Sequence, residues 1–167
     1  MSKRSPAPGS LDLVQALVNT LDIESGADSL DGVAGRARFG IARDELDSAR
    51  ELRESLRAAL LAHAGHPPHR AVTPLGELLA AAPLVVTVDA GDGLAGLAPA
   101  DADPLLSRVA AAVGQALVEG TWARLKACEA VDCHWAYYDR SPAGRGRWCS
   151  MQVCGARAKM RRYRAKD

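Results

Sequence analysis

Cys128, Cys133, Cys149 and Cys154 are the four cysteines of the chain, separated by four, fifteen and four residues. Two cysteine pairs divided by a hairpin-length segment bring four soft, ionisable sulfurs to one point, the requirement of a tetrahedral zinc site. Disulfides are the rival use, with three pairings open to four cysteines. The stretch MSKRSPAPGS lacks the apolar core of a signal peptide, so the expected setting is reducing and cytoplasmic. Four thiolates close the coordination sphere and leave no position for an activated water, so one structural Zn2+ is expected rather than a hydrolytic centre. His134, next to Cys133, is the alternative ligand. Adjacent side chains rarely aim at one point, and it is read instead as a partly exposed polar residue on a strand.

Other groupings carry less chemistry. His63, His66 and His69 recur every third residue, but prolines interrupt them, and a solvated turn explains them better than a second metal site. The run DAGDG has calcium-loop residues without the periodic acids and final Glu, and reads as a hairpin turn. No phosphate loop, nucleophile elbow or carboxylate pair is present, so no enzymatic activity is expected.

The second functional element follows Cys154. On a helix, Arg157, Arg161 and Arg164 form one row, Lys159, Arg162 and Lys166 extend the positive surface, and no acid intervenes from 156 to 166. Ala156, Met160 and Tyr163 fall on a side suited to packing against the hairpin and Trp148. Such a helix fits a DNA major groove or a phosphate backbone, with Arg145 and Arg147 adding backbone contacts. An acidic protein surface is the other partner that fits, and a homo-oligomer is compatible with either.

Charge and aromatic content divide at Gly120. Residues 121–167 hold eleven Lys or Arg against four Asp or Glu, a net +7, whereas ten basic and sixteen acidic residues leave 1–120 at −6. That asymmetry suits a polyanion partner for the basic end. Phe39 is the sole aromatic of the first part; three Trp and three Tyr lie in the second. So small a segment needs bulky rings and a metal to hold a fold. No apolar run is long enough for a membrane span.

The elements that must position these groups are mostly helical. Ser10 is placed to cap a helix with Leu11, Val14, Leu17, Val18 and Leu21 inward. Residues 22–40 read as loop with a short helix. A longer helix is expected from Arg43 to His63, its buried stripe Leu46, Ala49, Leu52, Leu56 and Leu60, its wet side Glu51, Arg53, Glu54 and Arg57, and Gly65 its stop. Thr73 and Pro74 suit the start of a short helix, 84–88 and 94–97 a hairpin, and Asp103 and Pro104 the start of a last helix burying Leu105, Val109, Val113, Ala116 and Leu117. In the cysteine segment, 134–138 and 145–148 are expected to pair across a turn at Ser141, Pro142 and Gly144. The fold class is α+β: a mainly helical N-terminal domain with a small β-hairpin over 10–124, then a zinc-bound hairpin-plus-helix module over 125–167. The short connection between them predicts docking rather than free swinging.

The run Arg147-Trp148-Cys149-Ser150-Met151, then Cys154-Gly155-Ala156-Arg157-Ala158-Lys159 and Arg161-Arg162-Tyr163-Arg164, resembles the signature of the CGNR zinc-finger family. Leu125-Lys126, Cys128, Cys133, Trp135, Tyr138-Asp139 and Ser141 match its approach, and Leu17-Val18-Asn19-Thr20-Leu21-Asp22 is similar to the opening of the ABATE domain that precedes such fingers. The resemblance implies a bacterial, stress-linked transcriptional regulator, with the four cysteines on zinc and DNA as ligand. Ala156 stands where the family usually has Asn, so whatever polar contact that Asn makes is absent or replaced here.

Overall fold

Leu11, Val14, Leu17 and Val18 fall on one side of α1 (Leu11–Val18), and all four are buried. The structure, a computed structural model, describes residues 5–101 and 104–165. Two residues with expected roles, Asp103 and Lys166, lie outside them. Ser10 has helical backbone angles and its side chain makes no cap bond, so it does not serve as the cap its position suggested. After α1 come a 3-10 turn (Ser29–Asp31), the short α2 (Val33–Ala37) and the central α3 (Leu46–Ala62).

The α3 helix ends at a glycine. Gly65 adopts φ +80°, the His66 N–H reaches the Leu61 carbonyl at 3.0 Å, and the Gly65 N–H reaches Ala62 at 2.9 Å, a Schellman closure. Leu52, Leu56 and Leu60 are buried as expected, each contributing about 2 kcal/mol of burial free energy. Of the assigned wet side only Glu51 is exposed, and the other three residues are corrected. Arg53, Glu54 and Arg57 are 3%, 1% and 0% exposed, because Arg53 packs on Thr20 and Asp28, Arg57 reaches the His134 carbonyl, and Glu54 pairs with both.

Then follow α4 (Leu75–Leu79), the antiparallel hairpin β1 (Leu84–Val88) and β2 (Ala95–Pro99), and α5 (Leu105–Val118). Thr73 does not cap α4; its hydroxyl donates to Glu51 on α3. The hairpin lies close on α5 because position 114 has no side chain: a Cβ there would stand 2.8 Å from Leu84 Cδ1. Val109, Val113 and Ala116 point inward, but Leu117 is 61% exposed, against expectation.

A 3-10 turn (Trp122–Arg124) leads directly into β3 (Leu125–Ala127), which pairs antiparallel with β4 (Ala136–Tyr138), Lys126 opposite Tyr137. A π-helical turn (Met151–Gly155) and α6 (Ala156–Arg164) complete the chain. The expected pairing of 134–138 with 145–148 is therefore corrected. The partner of β4 precedes the first cysteine pair, and 145–148 forms no strand. The core makes that choice, since Leu125, Ala127 and Ala136 are fully buried in the same cluster as Val14, Leu56 and Val113. The α+β class holds, and the cysteine-bearing hairpin is docked on the helices.

Candidate metal centre and basic helix

The β3–β4 hairpin carries Cys128 and Cys133 in its connecting loop. The Cys128 N–H donates to the Trp135 carbonyl at 2.9 Å and the Cys133 N–H to Ala130 at 2.9 Å, which folds the loop so that both sulfurs turn to one side. The chain leaves β4 through Asp139. This carboxylate receives Ser141 Oγ at 2.6 Å, the Ser141 N–H at 3.0 Å, the Gly146 N–H at 2.7 Å and Lys126 Nζ at 3.0 Å, bending 139–146 back toward the loop. Desolvation acts to raise the Asp139 pKa, but the Ser141 and Lys126 bonds outweigh it and hold the carboxyl well below the ordinary range. The bend delivers Cys149. Ser150 then caps the π-helical turn, its Oγ accepting from the Val153 N–H at 3.3 Å, and that turn delivers Cys154.

The four ligand atoms all lie within 4.8 Å of one another, with Cys133–Cys149 and Cys149–Cys154 sulfur separations of 3.6 and 3.7 Å. None is in a disulfide. A tetrahedron with Zn–S distances of about 2.3 Å has sulfur–sulfur edges of about 3.8 Å, so the quartet fits a zinc ion. Without a cation the thiols oppose one another: hydrogen bonds from Cys133 and Cys149 draw Cys128 toward thiolate, the bond to Cys128 pushes Cys133 up, and burial pushes Cys154 up. A dication removes that conflict. Cys128, Cys133, Cys149 and Cys154 would hold the ion, which would cross-link the loop, the bend and the π-helical turn and serve a structural purpose.

His134 is no ligand. It is 7% exposed and outside β4, its backbone at φ +46° closes the loop, and its Nδ1 lies 2.9 Å from the Cys128 carbonyl. Its own carbonyl accepts from Arg57 Nη1 at 2.8 Å, while Arg57 Nη2 donates to the Val18 carbonyl at 2.8 Å. One buried guanidinium thus joins α1, α3 and the cysteine loop. Glu54 balances it at 3.1 Å and also takes Arg53 Nε at 2.8 Å; Arg53 reaches Asp28 at 2.7 Å. Burial alone would raise the Glu54 carboxyl, but Arg57 and Arg53 hold it below its ordinary value. Asn19 seals the joint from α1, donating to the Ala136 carbonyl at 2.9 Å and accepting the Ala136 N–H at 2.7 Å. Sequence reasoning missed Arg53, Glu54 and Arg57. The available signal was the row Arg53, Arg57, Leu61, each four residues apart beside the leucine stripe. His63, His66 and His69 likewise form no cluster: His63 Nδ1 meets the Leu125 carbonyl, His66 pairs with Glu129 and His69 with Glu54.

The basic helix starts where the cysteine turn ends. Cys154 and Gly155 are buried, yet no residue of α6 is. Met160 and Tyr163 are 53% and 69% exposed and Ala156 is also exposed, correcting their expected packing on the hairpin and Trp148. What reaches Trp148 is the root of the helix, where Gly155 sits against its ring and Met151. The metal-binding turn fixes that root without needing the helix's apolar row as core. Around the axis, Arg157, Arg161 and Arg164 lie on one flank of this row and Lys159 and Arg162 on the other.

The seven expected nucleic-acid contacts differ in their surroundings. Arg157 Nη1 meets both Glu24 oxygens at 3.1 Å and approaches Asp132 at 3.9 Å; Arg161 lies 3.7 Å from Asp132. Arg147 is paired with Glu129 and lies over the Trp148 ring. Arg145, Lys159, Arg162 and Arg164 are exposed and make no ion pair among the described residues.

Comparison with family models matches residues 124–167 to the CGNR zinc finger and residues 11–120 to ABATE, described as "Putative stress-induced transcription regulator". Comparison with curated proteins gives no match. The ABATE match covers well over half the chain, and the finger match takes in the helix that follows the four cysteines. The chain belongs to the ABATE family and carries a CGNR zinc finger after that domain.

Proposed function

We propose that this regulator binds DNA through α6, with the ABATE segment (10–124) supplying the response to a partner or small molecule and the finger (125–167) supplying the contact. The observation that supports this most is the exposure of α6: a helix with cations on both flanks and no acid, held at its root by a metal turn. A helix of this width fits a major groove, and its arginines suit phosphate and guanine edges. Lys159, Arg162, Arg164 and Arg145 are the first contacts; Arg157, Arg161 and Arg147 join after exchanging Glu24, Asp132 and Glu129 for phosphate. The reading places the protein in a bacterial cytoplasm, in stress-linked transcription, with no catalytic role. No helix among the described residues is long and apolar enough to cross a membrane.

The test is a salt titration of DNA binding by the zinc-loaded chain and by a Lys159→Ala, Arg162→Ala, Arg164→Ala variant. Every cation–phosphate pairing that the variant can no longer make lowers the log–log salt slope by about 0.9. An unchanged slope and affinity in the variant overturns the assignment. The second reading, an adaptor for an acidic protein, draws on Met160 and Tyr163 exposed between the cationic rows. Binding to an acidic protein that persists at high salt and is not displaced by DNA decides for it.

A further inference from the structure

The β1–β2 hairpin is exposed along most of its length, and its hydrogen-bond phase identifies what its free edge offers. The Asp89 N–H donates to Leu94 at one end of the ladder and the Ala100 N–H to Pro83 at the other, with continuous register between them. Alternation along an antiparallel pair then turns the N–H and C=O groups of Val85 and Thr87 toward β2 and those of Leu84, Val86 and Val88 away from it. The sheet has two strands among the described residues, so that second row forms an open edge.

Edges of this kind are ordinarily blunted by Lys, Pro or a bulge. The β1 sequence LVVTV has none of these, and Val86 and Val88 are 71% and 65% exposed. By contrast β2 carries Gly96 and Pro99. A two-stranded hairpin is also marginal by itself and gains from further strands.

We propose that the outer edge of β1 is a two-fold interface at which two copies of this chain join their hairpins into one four-stranded antiparallel sheet. Charge selects the occupant. Asp89 and Asp92 are the charged residues between 78 and 100, and both sit at the hairpin turn. An acidic or basic partner strand therefore finds no counter-charge on the edge, whereas an identical strand meets no conflict. With the axis at Val86, that residue exchanges both backbone bonds with its own copy, and Leu84 of each copy does so with Val88 of the other. The two acidic turns then point in opposite directions. Such an interface is isologous and closed, so it stops at the dimer. Leu117 and Val118, one turn past Gly114 on α5, are 61% and 73% exposed and enlarge the apolar surface beside the hairpin.

The measurement is sedimentation equilibrium of the full zinc-loaded chain across micromolar concentrations, with three variants at Val86. The wild-type chain gives twice the monomer mass. Val86→Pro removes the central outward N–H without touching the β1–β2 ladder, and gives a monomer with wild-type circular dichroism. Val86→Lys sets two cations opposite each other at the axis and raises the dimer dissociation constant by about tenfold or more. Val86→Thr keeps the β-branched side chain and the N–H, and remains dimeric. Should Val86→Pro fail to fold, Val86→Lys decides. A wild-type monomer, an assembly that grows beyond two copies, a monomeric Val86→Thr, or a Val86→Lys dimer of unaltered affinity overturns the proposal.

Discussion

Arg57 shows how much one side chain can decide. Its guanidinium is fully buried, with Glu54 on one nitrogen and the Val18 and His134 carbonyls on the others. Removing one member of a buried pair leaves an uncompensated charge, so Arg57→Ala should lose about 3–5 kcal/mol in chemical denaturation. Arg57→Lys should not restore it, because a single ammonium cannot match a fork spanning two carbonyls and a carboxylate. Glu54→Gln tests the pH consequence. The folded pKa of Glu54 is depressed, so its stabilisation is complete above the unfolded value, about 4.3, and is lost as pH falls through the folded value. Wild type should exceed the variant near neutrality, and the gap should narrow below about pH 4. A gap that stays constant into acid counts against the paired Glu54.

Among elements, the finger is built in two parts held by different forces. The β3–β4 hairpin owes its place to the core, through Leu125, Ala127 and Ala136. The 139–146 bend is tied by Asp139 and the cysteine loop by Arg57, so the part expected to rest on the metal is Cys149, the π-helical turn and α6. Chelation should therefore release amide-exchange protection in 149–164 while 125–127 and 136–138 stay protected. Equal loss in both sets would show that the metal, not the core, holds the hairpin. This division also explains what was legible in the sequence. The cysteine quartet, the stripe of α3 and the Asp/Gly turn after β1 are local patterns, and each led to the right element. The partner of β4 was not legible, since 125–127 and 145–148 are both short segments beside a cysteine and only burial against distant helices separates them. The buried Arg53 and Arg57 were misplaced for the same reason: charge predicts solvent until the fold brings in partners, Asp28 and the Thr20 hydroxyl for Arg53 and two carbonyls for Arg57.

At the scale of the whole molecule, the two family matches meet near residue 120, but the core does not divide there. Leu125, Ala127 and Ala136 belong to the cluster of α1, α3 and α5, and Arg57 and Asn19 bond across the boundary. A fragment ending at Arg124 should expose that cluster and leave Arg57 without its His134 partner. It should melt well below the full chain in calorimetry, by about 2–4 °C for each kcal/mol lost in a chain of this size. A fragment as stable as the full chain would show that the shared cluster contributes nothing.

Rooted at Cys154 and otherwise uncovered, α6 behaves as a cantilever. Its nine residues reach about 14 Å from the metal turn, so a rotation of ~10° at the root displaces the Arg164 end by roughly 2.4 Å. That displacement approaches the length of a hydrogen bond. Accuracy at the tip is therefore set by stiffness at the base, and in the free chain the Glu24–Arg157 contact, one turn from the pivot, joins the acidic half to the basic helix until phosphate takes the place of Glu24.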